Sequence, residues 1–113
     1  MEEEIVKFSD WEKIDLRVGK ILDVKNHPNA NKLYLLDIDL GKLGKRTLVA
    51  GLKGNYKPEE LRGKLCVVFT NLEPATIRGV KSEGMILAAC TESKDNIFII
   101  STEKAIELGS KIS

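Results

Sequence analysis

Between residues 71 and 85 the run NLEPATIRGVKSEGM brings an amide, a guanidinium, an ammonium and a hydroxyl into one short segment. Asn71 donates and accepts at once, Arg78 carries a permanently charged fork, Lys81 adds a point charge and Ser82 a small hydroxyl. Gly79 and Gly84 let a ligand come close to the backbone. The chemistry open to such a set is recognition. Catalysis would need a nucleophile beside a base, a carboxylate pair or a metal cluster, and the single histidine, His27, sits in a Pro-Asn turn with no partners for a triad. His27 reads as a turn residue or a binding contact. Gly51-Leu52-Lys53-Gly54 has neither the spacing nor the following helix of a phosphate loop. No enzyme, cofactor or metal site is expected.

Long cations recur where strands end. Lys32, Arg46, Lys53, Arg78 and Lys81 lie at predicted strand ends and in loops, where they reach phosphate oxygens without disturbing a core. Asn71 and Ser82 add uncharged groups suited to a ribose 2′-hydroxyl or a base edge. The aromatic residues are few, Phe8, Trp11, Tyr34, Tyr56, Phe69 and Phe98, whereas proteins that hold a flexible single strand stack its bases on several exposed rings. The composition therefore points to the shape of a folded nucleic acid. The net charge of +1 conceals a segregation: residues 17–81 hold 13 Lys/Arg against 6 Asp/Glu, while both flanks are acidic. Either one positive face or an ordinary solvated surface would produce that pattern.

These groups need a scaffold, and 113 residues supply one domain. No apolar run approaches the roughly 20 residues of a membrane helix, and the Met1–Glu4 start is the wrong charge for a signal peptide, so a cytoplasmic protein is expected. Cys66 and Cys90 fall in separate apolar runs and read as buried thiols. Residues 1–7 are expected to form a flexible arm, with the Ser9-to-Glu12 spacing forming a capping box. Alternation then predicts a long strand with Ile14, Leu16, Val18, Leu22 and Val24 on one face and a bend at Gly19 on the other. Two further strands follow, 34–40 and 46–50, separated by turns. Pro58 and Gly63 bracket a short helix, and the runs 65–70, 85–90 and 96–100 supply the remaining strands. Pro74 makes 72–78 a shaped loop or edge. This order, three strands, a short helix and further strands, is that of an all-β OB-fold, a five-stranded Greek-key barrel with terminal extensions. The apolar residues of 101–113 need cover, on the barrel or on a second subunit.

The stretches DLRVGKI at 15–21, HPNANKLYLL at 27–36, the strand end at 48–51, PEELRGK at 58–64 and NLEPATIRGVKSEGMILAA at 71–89 resemble the tRNA-binding domain family. Members occur as free-standing dimeric proteins and as appendages of methionyl- and other aminoacyl-tRNA synthetases. The resemblance covers about residues 8–112. It implies an OB-fold that binds tRNA near the outer corner of its L shape without choosing an anticodon, alone or as a helper of a synthetase such as methionyl-tRNA synthetase. It also implies that Lys32, Asn71, Arg78, Ser82 and Met85 lie on the binding face. Against this stand a solvated Lys32, a loop-capping Asn71 and a core Met85. Where the family usually has Asp in the HPNA(D)K turn this chain has Asn31, removing a negative charge beside Lys32. Homodimerisation through 101–113 is the further implication. A chaperone-like, peptide-binding relative associated with secretion supplies the competing function, and a module that only docks a synthetase is a third.

Overall fold

A computed structural model describes residues 4–113. Residues 1–3 of the expected arm lie outside the described residues, and residues 4–7 carry no regular structure. Helix α1 (Phe8–Trp11) starts earlier than the capping-box spacing predicts. The Lys7 carbonyl accepts from the amides of Asp10 and Trp11, and Ser9 lies inside the helix without capping it.

Strands β1 (Leu16–Asn26), β2 (Tyr34–Asp39) and β3 (Lys45–Ala50) form an antiparallel meander. Period two holds cleanly in β2, where Tyr34, Leu36 and Ile38 are buried. In β1 it fails twice. The pairing with β2 steps from Ile21↔Ile38 to Asp23↔Asp37, so Leu22 is an extra, bulged residue and is exposed, opposite to the alternation's prediction. Gly19 is the second departure. A Cβ there would lie 2.6 Å from Ile38 Cγ2, so Gly19 faces the barrel interior, not the outer face, and its missing side chain lets β2 approach.

After β3, Pro58 opens α2 (Pro58–Leu61), the Lys57 amide donates to Glu60 Oε1 at 2.8 Å, and Leu61 is fully buried. Next come β4 (Leu65–Phe69), β5 (Ala75–Ile77), β6 (Val80–Ser82), β7 (Met85–Ile86), β8 (Ala88–Cys90) and β9 (Ile97–Ile99). The five-stranded sheet has the order β3-β2-β1-β4-β7. Its ends meet where the Glu83 amide donates to the Thr47 carbonyl at 3.0 Å, giving a nearly closed barrel of the OB type with α2 between β3 and β4. The core comprises Ile21, Leu36, Ile38, Leu40, Leu48, Leu61, Cys66 and Val68 with their neighbours.

Three features go beyond the linear reading. Within 72–78, expected as a shaped loop or edge, residues 75–77 are the edge strand β5, paired with β6 in a two-stranded hairpin. The apolar run 85–90 splits at Leu87: β7 pairs with β4, while β8 pairs with β9, so Cys90 is exposed and only Cys66 is buried. Burial pushes the Cys66 thiol up to about 12. Finally, the C-terminal segment adds to the free edge of β1. Val18 donates to Ser110, Gly109 to Val18 and Ile112 to Leu16, at 2.8 to 2.9 Å. Among the described residues no helix is long and apolar enough to cross a membrane.

Candidate nucleic-acid interface

Ile77 pairs with Val80, leaving Arg78 and Gly79 as a two-residue hairpin turn with φ of 53° and 89°. Positive φ at both positions is the requirement of a type I′ turn, the one that matches strand twist. Gly79 accepts it freely, but Arg78 has a Cβ and must be held there. The holding groups come from the 27–33 turn. His27 is buried, its Nδ1 accepts from the Asn29 amide at 2.9 Å, and its Nε2 lies 2.9 Å from the Ile77 carbonyl. Those partners assign the tautomer: Nε2 carries the proton and donates. Asn29 Nδ2 then donates to the Arg78 carbonyl at 3.1 Å.

The two turns, locked together, bring Lys32 to Arg78. Both line a cleft of about 390 Å³ with Asn29, Ala30, Asn31 and Leu33. No carboxylate lines it, and neither cation is in an ion pair among the described residues. Two uncompensated cations beside two primary amides make an anion site with sugar- or base-directed hydrogen bonds to spare.

The other predicted contacts separate from this pair. Lys53 is exposed in the turn after β3, and Lys81 is exposed on β6 opposite Thr76. Met85 is exposed on β7, which removes the core alternative for it. Ser82 is a correction. It is buried, its hydroxyl accepting from the Val49 amide and donating to the Gly84 carbonyl, both at 3.0 Å, so it fastens β6 to β3 and presents nothing to a ligand. Arg46 is half-buried and donates to the Thr70 and Glu83 carbonyls. It lines a different cleft with Asn71, Glu73 and Glu83, whose carboxylates repel phosphate. Asn71 spans two segments, accepting from the Asp15 amide at 2.8 Å and donating to the Lys13 carbonyl at 2.6 Å. Beside it the Asp15 carboxyl is held below the ordinary range, chiefly by the Thr70 hydroxyl at 2.7 Å and then by Arg17, against an opposing burial effect. Ser82, Arg46 and Asn71 thus shape residues 70–84, the segment that carries Arg78. The sequence reading missed the clamp made by His27 and Asn29. Its signal was HPN itself, since turn residues of this kind bond backbone two positions on.

A small antiparallel barrel that presents unpaired cations on adjoining turns is the architecture of a polyanion-binding module. The family profile described as "Putative tRNA binding domain" matches residues 16–111. Methionine–tRNA ligase of Pyrococcus horikoshii is 54% identical over 111 residues, covering 98% of this chain and 15% of the ligase. The chain thus spans under a fifth of that relative's length. A MetRS-related protein from Pyrococcus horikoshii superposes with a TM-score of 0.90 at 29% identity, covering 98% of this chain and all of that one. The chaperone CsaA from Bacillus anthracis superposes at 0.88 with 30% identity, covering 97% and 100%. The chain belongs to the tRNA-binding domain family.

Proposed function

We propose that this domain binds tRNA by its folded shape, at the outer corner of the L and without reading an anticodon, and that it catalyses nothing itself. The single observation that carries the reading is the cleft where Lys32 and Arg78, unpaired among the described residues, meet at the junction of two locked turns. Cations fixed on a rigid scaffold favour a phosphate pattern of fixed geometry over a strand that must be ordered first. Exposed Lys53 and Lys81 extend the positive surface, and Met85 offers an apolar contact. Similarity to the methionine–tRNA ligase supports a role in raising a synthetase's hold on its tRNA. Exposed Phe98, Ile100 and Ile106 support pairing with a second copy, which would double the contacts with one RNA.

The test is a substitution that spares the backbone. Arg78→Asn keeps a residue that tolerates positive φ, whereas Arg78→Ala adds strain to the loss of charge. Arg78→Asn is expected to weaken tRNA binding by about 1 to 3 kcal/mol with the fold intact. Wild-type affinity in that variant would remove Arg78 from the interface. The likeness to CsaA and the exposure of Met85 favour one second reading, a peptide-binding chaperone. Peptide capture on Met85 would be nearly independent of salt, whereas RNA binding weakens steeply as salt rises.

A further inference from the structure

Lys32 borders a second cleft, of about 450 Å³, that Arg78 does not line. Its lining differs in kind. Leu33 and Ile97 are apolar, Gly51 and Gly54 contribute bare backbone, and Lys32, Lys94, Asn55 and Asp95 supply the polar groups. Neither glycine has the left-handed φ that would demand glycine. A Cβ on Gly54 would meet nothing within 4 Å, and one on Gly51 only Leu33 Cδ2 at an ordinary 3.8 Å. Neither backbone angle nor packing excludes a side chain there, and the effect of having none is an open cleft. Lys94 adds an independent sign. Among the described residues only Arg78 and Lys94 are non-glycines with positive φ, 53° and 60°. Both are cations, and each lines a cleft that Lys32 also lines.

We propose that this second cleft receives an unstacked nucleobase of the bound RNA, with Lys32 and Lys94 on the flanking phosphates. Half-buried Leu33 and Ile97 and the Asp95 carboxylate make this cleft less suited to a phosphate, while a base offers a flat apolar face and N–H edges for Asn55 and Asp95. Exposed Lys32 and Lys94 suit the backbone on either side. Lys32, shared by both clefts, sets the direction of the strand from Arg78 towards Lys94.

The inference rests on the RNA-binding reading above, and the experiment separates the two. Affinity for folded tRNA is measured against salt for the wild-type chain and for Arg78→Asn, Lys94→Asn and Gly51→Val. Lys94→Asn keeps a residue suited to positive φ and is expected to bind about five-fold more weakly, with a log–log salt slope lower by about one. Gly51→Val sets its side chain against Leu33 in the cleft without removing charge and is expected to bind about ten-fold more weakly with an unchanged slope. Failure of the wild-type chain to bind tRNA overturns the RNA-binding reading. Binding that Arg78→Asn weakens but both cleft variants leave at wild-type strength overturns the base cleft alone. Amide spectra report whether each variant is folded and locate the site in the wild-type chain. Guanosine 5′-monophosphate should shift the amides of Gly51, Gly54 and Lys94 more than ribose 5-phosphate does, and equal shifts, or none, overturn the proposal.

Discussion

At the scale of single residues, the side chains that shape this surface outnumber those that present themselves to a ligand. His27, which a sequence reading leaves as a turn residue or a contact, is buried and joins two turns through two hydrogen bonds. His27→Ala is expected to cost about 1 to 3 kcal/mol in thermal or denaturant unfolding, because the Asn29 amide and Ile77 carbonyl lose their partner. It should also weaken tRNA binding although His27 lies behind the face; undiminished affinity in the folded variant would show that Arg78 needs no such support. The cysteines differ in the same way. A small alkylating reagent should modify exposed Cys90 in the native chain and reach Cys66 only on unfolding, as mass spectrometry would report. Asp15 sets an acid dependence. Its pKa is depressed in the fold, so the stabilisation is complete above the unfolded value and is lost as pH falls below about 4. Thr70→Val, which removes the largest cause, should flatten the fall in unfolding stability below about pH 4 relative to wild type. Side-chain type alone could mark Lys32 and Arg78 as exposed cations, but Ser82, Asn71 and Arg46 look equally available in a sequence. Their commitment to backbone groups 33, 56 or 24 positions away exists only in three dimensions.

Elements were legible where one face was buried and one was wet. Strand β2 alternates without interruption, and its limits follow from the pattern. Strand β1 serves two neighbours, β4 along its first half and β2 along its second, so a bulge at Leu22 breaks its parity, and Gly19, which the alternation puts on the outer face, faces inward. Hairpin β5–β6 escaped because Arg78-Gly79 is an unusual pair for a turn that favours Asn-Gly. The apolar residues of 101–113 were expected to need cover; residues 109–112 make backbone bonds with β1, while Ile106 stays exposed. Gly109 shows how closely it lies: with φ of 88°, a Cβ there would sit 2.7 Å from the Leu40 carbonyl oxygen. Gly44 has a similar φ of 86° but nothing nearby. Gly109→Ala should therefore lower stability in denaturant unfolding by more than the roughly 1 to 2 kcal/mol of backbone strain expected for Gly44→Ala. Equal losses would mean that the segment yields to the added methyl.

For the whole molecule, the fold class was readable from strand order, and the binding surface only in outline. The basic middle of the chain marked the region that includes Lys32 and Arg78, 46 positions apart in sequence, but not the clamp that makes them neighbours. The exposed apolar residues bear on assembly. If the proposed pairing with a second copy holds, Phe98→Asp with Ile106→Asp should lower the mass in sedimentation without removing the β1 edge bonds, as deletion of 101–113 would; an unchanged mass would remove these residues from the contact. Recognition of folded tRNA by a rigid cationic face is tested most directly by one salt-resolved titration of intact tRNA, the same RNA unfolded, and a single-stranded DNA of equal length. Shape recognition predicts that folded tRNA binds tightest at every salt concentration and that affinity falls steeply as salt rises. Equal affinity for all three nucleic acids would contradict it.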